Sequence, residues 1–320
     1  MIKDLSIIIP VFNNSVSFSN CIDSLTKQIN KNFDVIIIDD YSDNFESTKI
    51  LSCISQSGID YIYIKNNQNK GPGYSRNVGI SNAKSKYITF IDSDDFVNVD
   101  FTDDIIENMV KKDLDTLIFN MNIHKNGKVK CLKSINLFNS TMVDNKYALV
   151  YTLGGTVCKA YKKEIIQSND IVFLEKKRNE DMPFTKKAIM KSKKIFYLNK
   201  TLYNYIRHES SLMSNKSLLD PSNAIDSVNY LLCNYNISDY KKELEAIYIK
   251  EIIYSTTVTV ASLNKKNSEI LNHIKKVEST YPNWKKNKYI KKFPLHTRVI
   301  LKIIQFRLLF LLSILSRKRG

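Results

Sequence analysis

The segment TFIDSDDF, residues 89–96, places three carboxylates within four positions. Asp92, Asp94 and Asp95 follow YITFI, a run with the composition of a buried strand. Carboxylates held this close repel one another and resist ionisation. A divalent cation removes that repulsion, because Mg²⁺ and Mn²⁺ prefer oxygen ligands and bind through one or two carboxylates plus substrate phosphates. The cluster predicts a metal site, although acidic residues after a strand also cap helices, so both interpretations stay open.

The elements that must position this cluster alternate along the first 121 residues. Short apolar runs with strand composition alternate with helical patterns, which is typical of a parallel sheet covered by helices on both faces. We therefore predict an α/β fold with a doubly wound, mostly parallel sheet. The predicted strands are 5–12, 33–40, 61–64, 87–92 and 115–121, with helices at 16–29, 45–56, from 71 onward, and 101–112.

Ligands bind outside the carboxyl ends of the strands in such sheets. Polar clusters lie at those ends, namely Asn13-Asn14, Asp39-Asp40 and the acidic segment that begins at Asp92. The segment PVFNNS after the first strand contains no glycine, so the dinucleotide-binding fingerprint is missing from its required place. No GxxxxGK[ST] motif occurs either. These absences disfavour a dehydrogenase and exclude a P-loop enzyme.

Composition indicates a folded protein with anionic partners. Hydrophobic residues make up 43% of the 320, and the formal net charge is +16, which favours phosphorylated substrates, nucleic acid or an acidic membrane surface. Eleven lysines and arginines follow Glu278, the last acidic residue. The five cysteines form no CxxC pair, which disfavours a zinc site or disulfides and fits a reducing cytosol. The N-terminus enters a strand pattern directly, so we expect no signal peptide.

Five motifs together resemble the family 2 glycosyltransferases with the GT-A fold. In chain order they are IIIPVFNN, VIIIDDYSDN, NKGPGYSRNVGI, YITFIDSDDF and NEDMPF. The resemblance is strongest over residues 4–100 and extends to about 212. It implies a GT-A-type, Rossmann-like α/β domain over 1–212, followed by a helical region over 213–290.

The resemblance assigns the nucleotide-sugar donor to the carboxyl edge of the sheet. Asp92 and Asp94 would hold a Mn²⁺ or Mg²⁺ ion that bridges the two phosphates, with Ser93 and Asp95 beside them. Asp40, together with Asp39, would contact the uracil and ribose. The further donor residues that it implies are Pro10, Phe12 and Asn13 around the base, Arg76 near the phosphates, and Arg207, His208 and Ser211 in a loop closing over the diphosphate.

Asp181 matches the general base of the family, and Glu180 belongs to the same motif. The resemblance implies transfer with inversion at the anomeric carbon, in which Asp181 takes the proton of the attacking hydroxyl. Simpler interpretations stay open: Glu180-Asp181 could be a first-turn pair favoured by the helix dipole, Arg76 could pair with a surface carboxylate, and His208 could be a solvated loop residue.

The C-terminal segment 291–320 differs from the preceding sequence. It is apolar between Arg298 and Arg317 but interrupted by Lys302 and Arg307, so we expect no membrane-spanning helix. On a helical wheel its cations and apolar residues separate, except that Arg307 interrupts the apolar face unless its side chain snorkels. This pattern predicts a basic amphipathic helix lying on an anionic membrane surface. The alternative is a helix docked on the protein or in a dimer.

These observations predict a metal-assisted, inverting glycosyltransferase, most simply one that uses a UDP-sugar. Its expected acceptor is a surface glycan, such as capsule, O-antigen or lipooligosaccharide, and its expected location is the cytoplasm, peripheral on the inner face of the plasma membrane. Transfer to polyprenyl phosphate is an alternative. A nucleic-acid-binding protein would explain the charge and the pI of about 9.4, but no nucleic-acid module occurs, so we expect no nucleic-acid partner. A family member without turnover is disfavoured by the intact Asp92, Asp94 and Asp181.

Overall fold

The structure of the chain is a computed structural model that describes residues 2–175, 179–207, 221–233, 238–263 and 266–312. The chain divides into two compact units. The first comprises residues 1–148 and 152–208, and the second comprises residues 149–151 and 209–320.

The first unit is built on one ten-stranded sheet. Eight strands follow the order β3-β2-β1-β4-β9-β6-β10-β5, while β7 pairs with β6 and β8 pairs with β10. The strands are β1 (Leu5–Val11), β2 (Phe33–Asp39), β3 (Tyr61–Lys65), β4 (Tyr87–Phe90), β5 (Phe96–Val97), β6 (Thr116–Lys125), β7 (Lys128–Leu132), β8 (Thr141–Val143), β9 (Lys159–Lys162) and β10 (Ile195–Ile206).

The strands β3, β2, β1 and β4 are parallel, as the alternating pattern predicts. The strand β9 runs antiparallel to both of its neighbours, β4 and β6. Sequence reasoning missed β9 because its four residues carry two lysines and no alternation. The strand β10 runs from Ile195 to Ile206, and its register with β6 shifts between Tyr197 and Tyr203.

Helices cover both faces of the sheet because its central strands are apolar on both sides. In β1, Ile7 and Ile9 belong to one hydrophobic cluster and Ile8 to another. The helices are α1 (Ser15–Thr26), α2 (Asn44–Gln56), α3 (Pro72–Asn82), α4 (Phe101–Lys111), α5 (Asn145–Tyr151, whose last three residues are assigned to the second unit), α6 (Lys163–Ser168) and α7 (Asp181–Lys191). The first cluster includes residues of α1, α2 and α4, and the second includes residues of α3 and α7.

The second unit is helical over its described residues. Trp284 is buried, and its Nε1 donates a hydrogen bond to Glu278 Oε1 at 2.9 Å. The elements are α8 (Pro221–Cys233), α9 (Lys241–Tyr248), a π-helical stretch (Ile249–Thr256), α10 (Thr257–Ser262), α11 (Asn267–Glu278) and α12 (Leu295–Gln305), with short 3₁₀ turns at Ser238–Tyr240, Trp284–Lys286 and Lys288–Lys292.

The first part of the predicted tail packs on its own unit. Ile300, Leu301 and Ile304 of α12 are buried, which matches the docked alternative for this stretch. The helix ends at Gln305, and Arg307 takes a left-handed backbone conformation and pairs with Glu278 at 2.5 Å. This ion pair accounts for a charge that interrupts the apolar run. Within the described residues, no helix is long and apolar enough to cross a membrane.

Candidate active site

The acidic segment lies at the carboxyl edge of the sheet, directly after β4. The Asp92 N–H donates to the Tyr203 hydroxyl at 3.1 Å, so β10 fixes the start of the segment. The Asp92 Oδ1 atom accepts a hydrogen bond from Arg76 at 2.7 Å, and its side chain is 34% exposed. The Oδ2 atom accepts no hydrogen bond from a described residue. One carboxylate oxygen is therefore not engaged by the ion pair with Arg76.

Asp95 turns inward from the same segment. Its Oδ2 accepts from the Tyr203 hydroxyl at 2.5 Å and its Oδ1 from the Ile206 N–H at 2.8 Å, and the side chain is buried. Burial, with the charges of Asp92 and Asp94, raises the pKa of Asp95 to about 9. Both oxygens bind β10, so Asp95 helps to position the segment in this conformation. Its predicted contact with the metal stays a prediction.

Asp94 is half-buried and Ser93 is buried between the two flanking carboxylates. No group of three His, Cys, Asp or Glu side chains among the described residues is arranged to hold a metal ion by itself. Asp92 and Asp94 supply two carboxylates, which is the usual protein contribution when substrate phosphates complete the coordination. The donor set therefore fits a hard divalent cation that arrives with a diphosphate.

Arg76, on α3, joins the acidic segment to the acidic pair before α7. Its two terminal nitrogens donate to Asp92 Oδ1 at 2.7 Å and to Glu180 Oε1 at 2.8 Å, and only 5% of the residue is exposed. Burial works against its charge, yet the carboxylates of Asp92 and Glu180 raise the pKa of Arg76. Its Nε has no hydrogen-bond partner among the described residues. The predicted phosphate ligand is thus already engaged by two carboxylates.

Asp181 is the first residue of α7 and is half-buried. Burial and the neighbouring charge of Glu180 raise its pKa, Arg76 and Lys159 lower it, and the net result is a pKa of about 7. A carboxylate with a pKa near neutrality is suited to accept a proton in a transition state, because it is then both available and sufficiently basic. The ion pairs therefore join Asp92, Arg76 and Glu180, and Asp181 follows Glu180 directly in the chain.

Asp39 is fully buried at the end of β2 and accepts hydrogen bonds from three described residues. Its oxygens accept from the Ser42 N–H at 2.8 Å, the Ser47 hydroxyl at 2.5 Å and the Tyr63 hydroxyl at 2.6 Å. Burial raises its pKa, but these hydrogen bonds hold the pKa of Asp39 below its ordinary value. In this conformation Asp39 shapes the start of α2, and its predicted contact with the donor stays a prediction.

Asp40 shapes the loop before α3. It accepts from Asn66 Nδ2 at 2.7 Å, from the Lys70 N–H at 3.0 Å and from the Gly71 N–H at 2.7 Å, and 4% of it is exposed. Gly71 has a φ of +85°, a left-handed conformation that glycine adopts without strain, and this conformation leads directly into Pro72 at the start of α3. A donor contact by Asp40 also stays a prediction.

The segment after β1 retains an exposed aromatic ring. Phe12 is 48% exposed, whereas Pro10 is buried within β1. The Asn13 N–H donates to the Ser42 hydroxyl at 2.9 Å, and its Oδ1 accepts from the Asp43 N–H at 2.9 Å. Phe12 and Asn13 are therefore both exposed members of the predicted base-binding set, and Asn13 also fixes the neighbouring loop.

The predicted closing loop is described only in part. The Arg207 N–H donates to His124 O at 2.9 Å at the end of β10, and its side chain is half-buried. His208 and Ser211 lie outside the described residues. Their predicted role toward a diphosphate therefore stays a prediction.

Sequence reasoning missed two residues that support this site. Tyr203 contacts both Asp92 and Asp95, and an aromatic hydroxyl in a strand adjoining the acidic segment was the available signal. Lys159 is fully buried, and its Nζ donates to Gly155 O. The available signal for Lys159 was weaker than that for Tyr203, because a single lysine inside TVCKAY does not indicate that its charge acts on Asp181.

The sheet order, the acidic segment after β4 and the acidic pair at the start of α7 define a GT-A type of glycosyltransferase architecture. The sequence profile described as "Glycosyl transferase family 2" matches residues 6–169, which is 164 of the 320 residues. The chain belongs to glycosyl transferase family 2. The predicted family and fold class are thereby confirmed.

Two curated relatives are similar over part of the chain. "Glycosyltransferase GlyA" of Streptococcus pneumoniae is 26% identical over 224 residues, covering 65% of this chain and 31% of its own length. "Poly(ribitol-phosphate) beta-N-acetylglucosaminyltransferase TarS" of Staphylococcus aureus is 27% identical over 204 residues, covering 62% and 35%. The chain thus spans about a third of the length of these relatives.

Solved structures share the fold. S. aureus TarS residues 1–349 in complex with UDP-GlcNAc superposes with a TM-score of 0.70 at 20% identity, covering 98% of this chain and 90% of that chain. The mannosyltransferase PcManGT of Pyrobaculum calidifontis, in complex with GDP-Man and Mn²⁺, superposes with a TM-score of 0.58 at 9% identity, covering 99% and 87%.

Proposed function

We propose that this chain transfers a sugar from a UDP-sugar to a hydroxyl of a cell-surface polymer, with inversion at the anomeric carbon. The observation that carries the proposal is the pair of ion pairs that buried Arg76 makes with Asp92 and with Glu180, the residue directly before Asp181. These ion pairs support an active site in which the acidic segment and the start of α7, with Asp181 as the prospective base, lie close together. The UDP-GlcNAc complex of TarS and the poly(ribitol-phosphate) acceptor in its name support this donor and this class of acceptor.

In this mechanism Asp181 takes the proton of the acceptor hydroxyl as that oxygen bonds to the anomeric carbon. The bond between this carbon and the diphosphate oxygen breaks at the same time, and its electron pair leaves with the nucleoside diphosphate. Arg76 and Lys159 stabilise the charged form of Asp181, whereas Glu180 opposes it. A Mn²⁺ or Mg²⁺ ion held by Asp92 and Asp94 would offset the negative charge of the leaving diphosphate.

The experiment that tests the proposal is turnover of UDP-GlcNAc and UDP-glucose, with poly(ribitol phosphate) and glycan oligomers as acceptors. We expect release of UDP and a product of β configuration from the α-linked donor, resolved by NMR. Retention of the α configuration, or no consumption of any nucleotide sugar, would contradict the proposal.

The rate of this turnover should rise with pH through about 7. Asp181 accepts a proton only when deprotonated, and its pKa lies near 7 instead of the ordinary 3.8. Two pH units below that value only about a hundredth of the enzyme carries the base in its active form. The measurement is kcat from pH 5 to 9, with calorimetric affinity for UDP as the control. A rate that is flat from pH 5 to 8 would exclude Asp181 as the titrating base.

We further propose that the second unit contacts an anionic membrane surface from the cytoplasmic side. Phe306 and Phe310 are 64% and 60% exposed after α12. Lys292, Arg298 and Lys302 on the same segment are also exposed. Exposed aromatic rings beside cations favour the interface of anionic lipids.

The double change Phe306→Ser and Phe310→Ser should weaken sedimentation with phosphatidylglycerol vesicles roughly tenfold or more, since burying one phenylalanine is worth about 1.5–3 kcal/mol. Phosphatidylcholine vesicles should bind less even with the unchanged chain. Phe138→Ser is the control, because Phe138 is 83% exposed in the first unit. Equal binding by the double variant and the unchanged chain would refute the membrane contact.

A further inference from the structure

The Gly154-Gly155 segment, which precedes β9, lies against the prospective base. A Cβ atom built on Gly155 would lie 3.6 Å from Asp181 Oδ2, and among the described residues no other heavy atom outside its chain neighbours lies within 4 Å of it. Gly155 does not have a positive φ, so its backbone accepts any L-residue. Conformation therefore does not require glycine here. Among the described residues, the missing side chain leaves open space on one side of the base.

Gly154 differs from its neighbour in what it faces. A Cβ on Gly154 would lie 3.1 Å from Met182 Cγ and 3.3 Å from Met182 Cβ, which is a tight packing contact with α7. Substitutions at the two glycines should therefore have different effects, one on packing against Met182 and one on the space beside Asp181. Gly154 packs the segment on α7, whereas Gly155 leaves room at Asp181.

The segment is held in place from within the protein. The Nζ of Lys159 donates to Gly155 O, and the Lys159 side chain is fully buried. The Lys159 carbonyl accepts from the Thr89 hydroxyl at 2.9 Å, which ties this residue to β4. Because the buried Lys159 is itself bonded to β4, its ammonium group restrains the Gly155 carbonyl. We therefore treat the segment as a restrained wall of the site.

We propose that Gly155 forms the acceptor-side wall of the active site and determines the size of nucleophile that reaches Asp181. This inference rests on the proposed function. A general base must come within about 2.6–3.2 Å of the oxygen whose proton it takes. A methyl group in van der Waals contact with Oδ2 occupies part of that approach. Water still fits beside it, whereas a secondary or substituted alcohol brings carbon atoms into the same space.

The test compares Gly155→Ala and Gly155→Val with Gly154→Ala. UDP-GlcNAc is the donor, and the nucleophiles are water, glycerol, ribitol and poly(ribitol phosphate). We expect the Gly155 variants to lower transfer to the alcohols roughly 10- to 200-fold relative to hydrolysis, the range for one methylene in a pocket. Valine should have the larger effect, and calorimetric affinity for UDP-GlcNAc should not change.

The Gly154→Ala variant should lower the Tm while keeping the ratio of transfer to hydrolysis. Gly155→Ala should fold, because a contact of 3.6 Å is ordinary. Unchanged ratios in both Gly155 variants would overturn the inference, as would an equal loss of hydrolysis and transfer or weakened donor binding. Failure of the proposed function has a different signature, since the unchanged chain would then consume no nucleotide sugar.

Discussion

Replacing Asp181 with asparagine should lower the rate of sugar transfer by roughly a hundred- to ten-thousand-fold, the range for loss of a general base. Asparagine keeps the shape of the side chain but cannot accept the proton of the attacking hydroxyl at neutral pH. Donor affinity should not fall, because the predicted diphosphate contacts belong to Asp92 and Asp94. The measurement is kcat with saturating donor, together with calorimetric binding of UDP.

The matched control is Asp60→Asn, which removes a carboxylate that is 71% exposed and pairs only with Lys3 among the described residues. It should retain full activity. A transfer rate in Asp181→Asn within a few-fold of the unchanged chain would show that another group takes the proton.

Replacing Arg76 with methionine should destabilise the first unit by about 3–5 kcal/mol, because it leaves carboxylates without their buried partner. We expect a loss of stability near the lower end of this range, because the Asp92 side chain is one third exposed and is partly solvated without Arg76. The Glu180 side chain is 13% exposed and accounts for most of the loss. Urea denaturation measures the loss. Arg76→Lys should recover only part of it, because one ammonium does not reproduce the planar fork that reaches both carboxylates.

Arg76→Met should also shift the pH profile of the transfer rate to higher pH, because Arg76 lowers the pKa of Asp181. Lys111→Met is the control for stability: Lys111 pairs with Glu107 at 2.8 Å on the surface, and ion pairs between exposed side chains contribute little to stability. A loss after Arg76→Met as small as that of Lys111→Met would contradict the bridging role.

The alternation of strands and helices was enough to predict why distant residues meet at this site. Asp39 and Asp92 follow parallel strands, and the carboxyl ends of such strands share one edge of the sheet. The pairing of Arg76 with Glu180, 104 positions away, was not predictable in this way. It depends on how α3 and α7 pack on the same face of the sheet, which strand order alone does not specify.

The direction of each carboxylate was the main feature that sequence reasoning could not supply. Asp39, Asp40 and Asp95 follow strands as the predicted donor ligands should, yet each accepts hydrogen bonds from distant residues such as Tyr63, Gly71 and Tyr203. Buried carboxylates need such partners, and the partners become neighbours only in the folded chain. The acidic motifs at the ends of the strands therefore contain prospective ligands of the donor and also carboxylates that hold the neighbouring loops in place.

The strand β9 was hidden for a related reason. Lys159 is buried at its start although lysine is almost never fully buried without a partner. Its burial follows from the bond to Gly155 O, which local pattern does not predict. In the second unit, by contrast, the charge of Arg307 was visible in the sequence, but its pairing with Glu278 was not.

The most direct test of the account is calorimetric binding of UDP to the unchanged chain and to Asp94→Ala, each with Mn²⁺ and with EDTA. GDP and CDP serve as comparison ligands. We predict UDP binding that requires Mn²⁺ and is lost in Asp94→Ala, because the diphosphate and the carboxylates of Asp92 and Asp94 would hold the metal together. Absence of nucleotide binding under every condition would make the acidic segment structural and would contradict the proposed transfer reaction.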